Sequence, residues 1–258
     1  MKFSFSNMFF VKKFSAATLL LVFSLTAHNS VQANAINLVK NGSFELSNGS
    51  GQLGYNGLVL NDWTSSGYNF LFNAGTGDTT GAQNSTGQSL TLWGSNNGGV
   101  NPLASSGNGG NFIANDGAYF QGALEQTIFG LTIGKSYDVH FEWAAAQQYG
   151  FDGSTTEWWR VNLGSNWMTT QATGIYSNAS HGSSNWMQET MRFTATSTSE
   201  VLSFLAVGTP EGKPPFSLLD GVSMTETVEL PEPSSLLMLL IGLCVLGFSM
   251  ARRRSSVN

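Results

Sequence analysis

Three ionisable side chains stand two residues apart at Asp138, His140 and Glu142, and these are residue types that hold a metal ion or exchange protons with a substrate. Their spacing reads as one face of a β-strand, where same-face neighbours lie about 6.6–6.8 Å apart. The three therefore span roughly 13 Å, so two can share a metal, while a compact three-ligand site needs a donor from another strand. A solvated strand face explains the same alternation. Glu142, Asp152 and Glu157 bracket a loop and offer pairs of the kind a glycoside hydrolase uses, two carboxylates about 5–9.5 Å apart around a cleft. Nothing in their spacing requires that pairing. Gly-x-Ser-x-Gly, His-Glu-x-x-His and phosphate-cradling loops are absent from the sequence, so no enzyme signature emerges and the expectation is a non-catalytic protein.

Aromatic residues are the stronger lead. A sugar ring presents C–H faces that stack on indole, and its hydroxyls seek amide, guanidinium or carboxylate partners. Trp158, with Arg160 and Asn162 on the same strand face and Tyr149 nearby beside Gln147 and Gln148, supplies both kinds of group. The competing reading is that a loop or a sheet edge covers Trp158. His181 sits in a polar loop as a surface residue. Trp63, Trp93, Trp143, Trp159, Trp167 and Trp186 read as core residues or loop anchors.

The elements that position these groups are strands. Tyr137, Val139, Phe141 and Trp143 share the face opposite Asp138, His140 and Glu142. Trp159, Val161 and Leu163 alternate against Trp158, Arg160 and Asn162, and Met191 and Phe193 against Thr190 and Arg192. The run from Val201 to Val207 is apolar on both faces, as in a central strand. Gly130, Gly134, Gly153, Gly164 and Gly208 punctuate these runs. Short strands at short spacing without an amphipathic helix predict an all-β, two-sheet antiparallel sandwich. From Gly49 to Gly110 the chain is rich in Gly, Asn, Ser and Thr with isolated aromatics, which predicts long loops between short strands.

Composition agrees. Of 258 residues only 10% are charged and 30 are glycine, with a formal charge of -5. That excludes coiled coils, helical bundles and basic nucleic-acid binders, while 41% hydrophobic content with seven Trp supports a core rather than disorder. Between residues 36 and 230 stand five basic residues (Lys40, Lys135, Arg160, Arg192, Lys213) and 15 acids, which gives 5 - 15 = -10. Such a domain has no affinity for nucleic acid or anionic lipid. The single cysteine, Cys244, leaves the domain without a disulfide, so burial or a metal must hold it.

The two ends read as addresses. Lys2, Lys12 and Lys13, an apolar run from Phe14 to Ala27, and small residues around Ala33 and Ala35 describe a signal peptide over residues 1–35, with the mature chain beginning near Asn34 or Ile36. At the other end Pro231, Glu232 and Pro233 precede an apolar run from Leu236 to Ala251 and then Arg252, Arg253 and Arg254. Sixteen residues of helix span about 24 Å, slightly short of a ~30 Å bilayer core, and the arginines belong on the cytoplasmic side. These three parts in order resemble the PEP-CTERM sorting signal. The resemblance covers residues 230 to 254. It implies an exported protein of a Gram-negative bacterium, associated with exopolysaccharide. Such a precursor is held transiently in the inner membrane by a single transmembrane helix, 236–251, and cut by an exosortase before release to the cell surface or extracellular matrix.

The body, residues 36–229, carries a second resemblance. Asn41-Gly-Ser-Phe-Glu45, Leu124-Glu-Gln-Thr-Ile128, Gly130-Leu-Thr-Ile-Gly134 and Phe216-Ser-Leu-Leu-Asp220 resemble galactose-binding-like jelly rolls of the carbohydrate-binding-module type. That resemblance implies glycan binding and a structural calcium. Glu45 beside the first strand and Asp220 beside the last are the carboxylates that such a fold brings together, with backbone carbonyls around Asn41 to Ser43 completing an oxygen shell. The expectation is thus an exported jelly roll that binds glycan through Trp158, Arg160, Asn162 and Tyr149. The alternative is a structural or adhesive matrix protein without a discrete sugar site.

Overall fold

The computed structural model describes residues 36–165 and 171–228, together with Leu243. The signal peptide expected at 1–35, Trp167, and the sorting tail with Pro231–Pro233, the expected transmembrane helix at 236–251, Cys244 and Arg252–Arg254 lie outside these residues, Leu243 excepted. Among the described residues no helix is long and apolar enough to cross a membrane.

In chain order the strands are β1 (Gly51–Gln52), β2 (Thr64–Ser65), β3 (Asn69–Phe72), β4 (Ala82–Gln83), β5 (Ser89–Leu90), β6 (Phe112–Asp116), β7 (Leu124–Phe129), β8 (Ser136–Gln147), β9 (Thr155–Leu163), β10 (Gln171–Ala172), β11 (Tyr176–Asn178), β12 (Met187–Thr194), β13 (Ser199–Thr209) and β14 (Pro215–Glu226). Sheet I runs β1-β3-β6-β14-β8-β12 and sheet II runs β10-β9-β13-β7-β2, with β11 also on β9 and β4-β5 a separate hairpin. The strand pairings are antiparallel. From β6 onward the long strands alternate between the sheets, β6 and β8 in sheet I, β7 and β9 in sheet II, then β12, β13 and β14 in turn. This is the expected all-β jelly-roll sandwich.

Alternation in sequence becomes alternation in burial. Tyr137, Val139, Phe141 and Trp143 of β8 face inward against Trp159, Val161 and Leu163 of β9, and Met191 and Phe193 of β12 complete that side. On β13, Leu202, Phe204 and Ala206 enter the same core, with Phe204 edge-on to Phe141 at 5.2 Å and to Trp159 at 6.1 Å. β13 is central in sheet II, as its apolar run predicts, but its odd-numbered residues are half-buried or exposed. The N-terminal segment closes the core. Its Lys40 amide donates to Gln126 Oε1 and its Lys40 carbonyl accepts from Gln126 Nε2, both at 2.8 Å.

The Gly/Asn/Ser-rich region is more ordered than its composition suggests. Residues 73–110, including the β4-β5 hairpin, fold over the outer face of sheet I. There Ala82, Leu90 and Leu92 join Phe70, Phe72, Phe112, Ala144, Ala146, Phe216 and Leu218 in a second apolar cluster. Phe72 stacks on Phe112 at 5.2 Å with nearly parallel rings. Two tryptophans stitch this roof down, Trp186 Nε1 donating to the Ala104 carbonyl at 2.8 Å and Trp93 Nε1 to the Phe151 carbonyl at 3.0 Å.

Candidate functional site

The outer face of sheet II has no roof among the described residues. Its rows follow from the strand register: Thr156 opposite Thr209, Trp158 opposite Val207, Arg160 opposite Leu205, and Asn162 opposite Ser203, which in turn lies opposite Glu125 of β7. Trp158 is half-buried, belongs to neither apolar cluster, and is followed by the exposed Arg160. Asn162 is buried at 4% exposure, its Nδ2 donating to the Gly164 carbonyl at 2.6 Å. The face then opens into a depression of about 480 Å³ lined by Glu125, Asn162, Ser199, Val201 and Ser203 among others. Trp158 and Asn162, four residues apart on one strand, are separated by roughly 13 Å. Arg160 is the single charged side chain between them. An indole, a guanidinium and a row of hydroxyl and amide groups thus line one open track.

Tyr149 does not join this row. It is 46% exposed and packs on Trp93, with ring centroids 4.5 Å apart. Trp93 also stacks on His181 at 4.0 Å, and His181 Nε2 meets Asp152 Oδ1 at 2.5 Å. The ring cluster ties three segments that the sequence keeps far apart, and no local spacing signals it. Gln147, named with Tyr149 as a polar neighbour, is fully buried and receives the His181 amide at 2.8 Å.

The carboxylates sort into separate environments. Asp138 is paired with Arg192, Nε to Oδ1 at 2.7 Å, and that guanidinium holds its carboxyl below the usual range. His140 Nδ1 lies 2.7 Å from Thr190 Oγ1 across the β8-β12 pair. Asp152 is at the surface on His181, whereas Glu157 is buried in the interior behind Trp158, where burial lifts its carboxyl to about 8. Glu142, Asp152 and Glu157 are therefore held by different parts of the fold.

Glu45 and Asp220 do approach one another, and Glu142 joins them. Asp220 is fully buried in the middle of β14, at a bulge rather than at a strand end, directly opposite Glu142 of β8. Burial raises its carboxyl to about 7, and the charges of Glu142 and Glu45 add to the effect. The segment from Ser105 to Asn111 drapes over all three. Ser106 Oγ donates to Asp220 Oδ2, the Gly107 amide to Glu142 Oε2 at 2.7 Å, and the Asn111 amide to Glu45 Oε1 at 2.7 Å. A Cβ at Gly110 would lie 1.8 Å from Glu45 Oε1, so the loop reaches this carboxylate only as glycine. The donors are all oxygen, as a hard cation requires. Among the described residues, however, no three His, Cys, Asp or Glu side chains already converge as a metal cage. Sequence spacing singled out Glu45 and Asp220 but missed the third acid, whose loop partner Gly107 lies 35 positions away.

Solved structures with similar chain traces include a cyclase from Fischerella sp. TAU in complex with 4-(1H-indol-3-yl)butan-2-one, at 12% identity over 76% of this chain and 100% of that chain, TM-score 0.48. Others are TmCBM61 in complex with β-1,4-galactotriose, at 15% identity over 75% and 100% with TM-score 0.38, and a CBM4 structure at 15% over 73% and 99% with TM-score 0.33. Likenesses at this level assign no activity. No curated protein matches the chain. Residues 229–254 match the PEP-CTERM protein-sorting motif. The chain therefore carries the sorting signal of an exported protein, in the region where Pro231, Glu232, Pro233 and the three arginines stand.

Proposed function

We propose that this is a non-catalytic glycan-binding protein, delivered by its sorting tail through the inner membrane and an exosortase to the cell surface or matrix, where it holds exopolysaccharide. The observation that carries this reading is the open face of sheet II. A half-buried indole, one guanidinium and flanking Thr, Ser and Asn side chains form a nearly neutral surface on a domain that is otherwise acidic, which suits a hydroxyl-rich ligand better than a charged one. Retention of the purified protein on immobilised polysaccharides tests it. Trp158→Ala is expected to cost about 1–3 kcal/mol of affinity, by analogy with bases stacked on aromatic side chains, and to leave the melting temperature nearly unchanged. A large loss of thermal stability would instead make Trp158 a packing residue. Equal retention of wild type and variant would favour the matrix-scaffold reading.

Calcium is the second element of this reading. Asp220, Glu45 and Glu142 supply carboxylate oxygens, and the 105–111 loop supplies carbonyls within the same patch, so the cation would replace loop hydrogen bonds as the link between loop and sheet. Calcium at about one hundred times its dissociation constant stabilises by about 2.7 kcal/mol, or roughly 5–10 °C for a domain of this size. The measurement is thermal unfolding with calcium or with chelator, for wild type and Asp220→Ala. A wild-type melting temperature indifferent to chelator ends the proposal.

A further inference from the structure

The loop from Gly117 to Gly122 lies alongside the open face. β7 pairs with β13 up to Leu124 opposite Phe204. Beyond that point the loop takes over the same place beside β13, the Gly208 amide donating to the Gly117 carbonyl at 2.8 Å and Gln121 Nε2 to the Ala206 carbonyl at 3.1 Å. On the other side of β13, Val207 stands opposite Trp158. Trp158 and the loop are thus two inter-strand spacings apart, about 10 Å.

The loop is rigidly built, yet it holds two aromatic rings in solvent. Tyr119 is 59% and Phe120 60% exposed. Asp116 Oδ1 accepts the Ala118 and Tyr119 amides at 2.8 and 2.9 Å, and the Tyr68 amide donates to the Phe120 carbonyl at 2.9 Å. Tyr119 is braced edge-on by Tyr68, with ring centroids 5.3 Å apart. Phe120 sits at φ 42°, a left-handed conformation that a bulky residue seldom adopts. Gly67 makes room for this turn, because a Cβ there would lie 2.5 Å from the Phe120 carbonyl oxygen. Backbone strain and a dedicated brace are being spent to keep two apolar rings out of the core.

We propose that Tyr119 and Phe120 form a second sugar-stacking station, so that the ligand is an extended polysaccharide chain spanning from Trp158 across β13 to this loop, rather than a single terminal sugar. The proposal rests on the reading of the open face as a glycan surface. Two stations set about 10 Å apart are bridged only by several linked rings, and every sugar ring offers a face to stack on.

The test uses exopolysaccharide from the host culture and size-graded fragments of its partial hydrolysate, titrated into the purified full chain. Wild type is expected to bind longer fragments progressively more tightly. The double variant Tyr119→Ala/Phe120→Asn is expected to bind the longest fragments about tenfold more weakly and the shortest as well as wild type does. Asn is chosen because it tolerates positive φ. Trp158→Ala should weaken both. Hydroxyl-radical footprinting of the wild-type protein reads the same point without mutation: long fragments should shield Tyr119 and Phe120, and short ones should not. If long fragments bind wild type and double variant equally and leave both rings reactive, the second station is wrong while the glycan-binding reading stands. If wild type binds no fragment, both fall.

Discussion

The outer faces of the two sheets present the same β-pleat with opposite outcomes. Under the roof, sheet I carries Phe70, Phe72, Phe112, Phe216 and Leu218, with Ala144 and Ala146 of β8 among them, and buries all of these. The alanines leave space into which Leu90 and Leu92 of the roof descend. On sheet II the corresponding face carries Trp158, Arg160, Leu205, Val207 and Thr209, and none of these is buried. One face is spent on stability and the other is left free to bind. A β-sandwich needs only its inner faces to fold, so the outer faces are available for other work.

The largest test of this contrast is Phe72→Ala. The residue is fully buried and stacked on Phe112, so its loss should cost about 3–5 kcal/mol, read from the urea midpoint. A loss under about 1 kcal/mol would mean that the roof adds little to the fold and that the two faces do not differ in kind.

A smaller effect is expected from Glu157, sealed directly behind the bare face. Its ordinary value is 4.5 and burial lifts it to about 8, against the lowering influence of Thr155 and Asn178. Below the ordinary value the group is neutral whether the chain is folded or not. As pH rises from there to the folded value the unfolded chain ionises first, so the native state loses stability, and above it the loss levels off. Glu157→Gln should flatten that decline and raise the melting temperature above pH 8 by at least about 3 °C. Parallel pH profiles for wild type and variant would show that Glu157 is not the group responsible.

The smallest effect is expected on the bare face itself. Val207→Thr should change stability by no more than about 0.5 kcal/mol, because the side chain lies on an uncovered row. A loss several times larger would reveal a cover that the strand register does not show.

These contrasts also mark what the sequence discloses. Tyr137 to Trp143 alternates because one side meets a core and the other does not, and that period of two announces both the strand and its buried face. β9, β12 and β13 are legible for the same reason, and they carry Trp158, Arg160 and Asn162 with them. The roof is not legible. β3 is buried at every position and β4 and β5 have two residues each, so no periodicity survives to be read. The pairing of Tyr149 with Trp93, and of Glu142 with Gly107, depends on where that roof lands. Asp220 was visible as an acid near the end of the domain. Its burial was not, because the loop that covers it, through Ser106, comes from 114 positions earlier.

The position of β14 has a mechanical meaning. It is the last strand before the sorting tail, yet it is an interior strand of sheet I rather than an edge. Along its first half β6 and β8 flank it. Near its end β8 continues on one side, while on the other the Leu38 amide donates to the Met224 carbonyl at 2.8 Å and Asn37 Oδ1 accepts the Met224 amide at 2.9 Å. A tug on the tail, from flowing water or from a strained polymer, therefore runs lengthwise down a strand gripped on both sides. The hydrogen bonds that resist it are loaded together in shear instead of being unzipped one at a time from an edge, so the chain is moored by its keel.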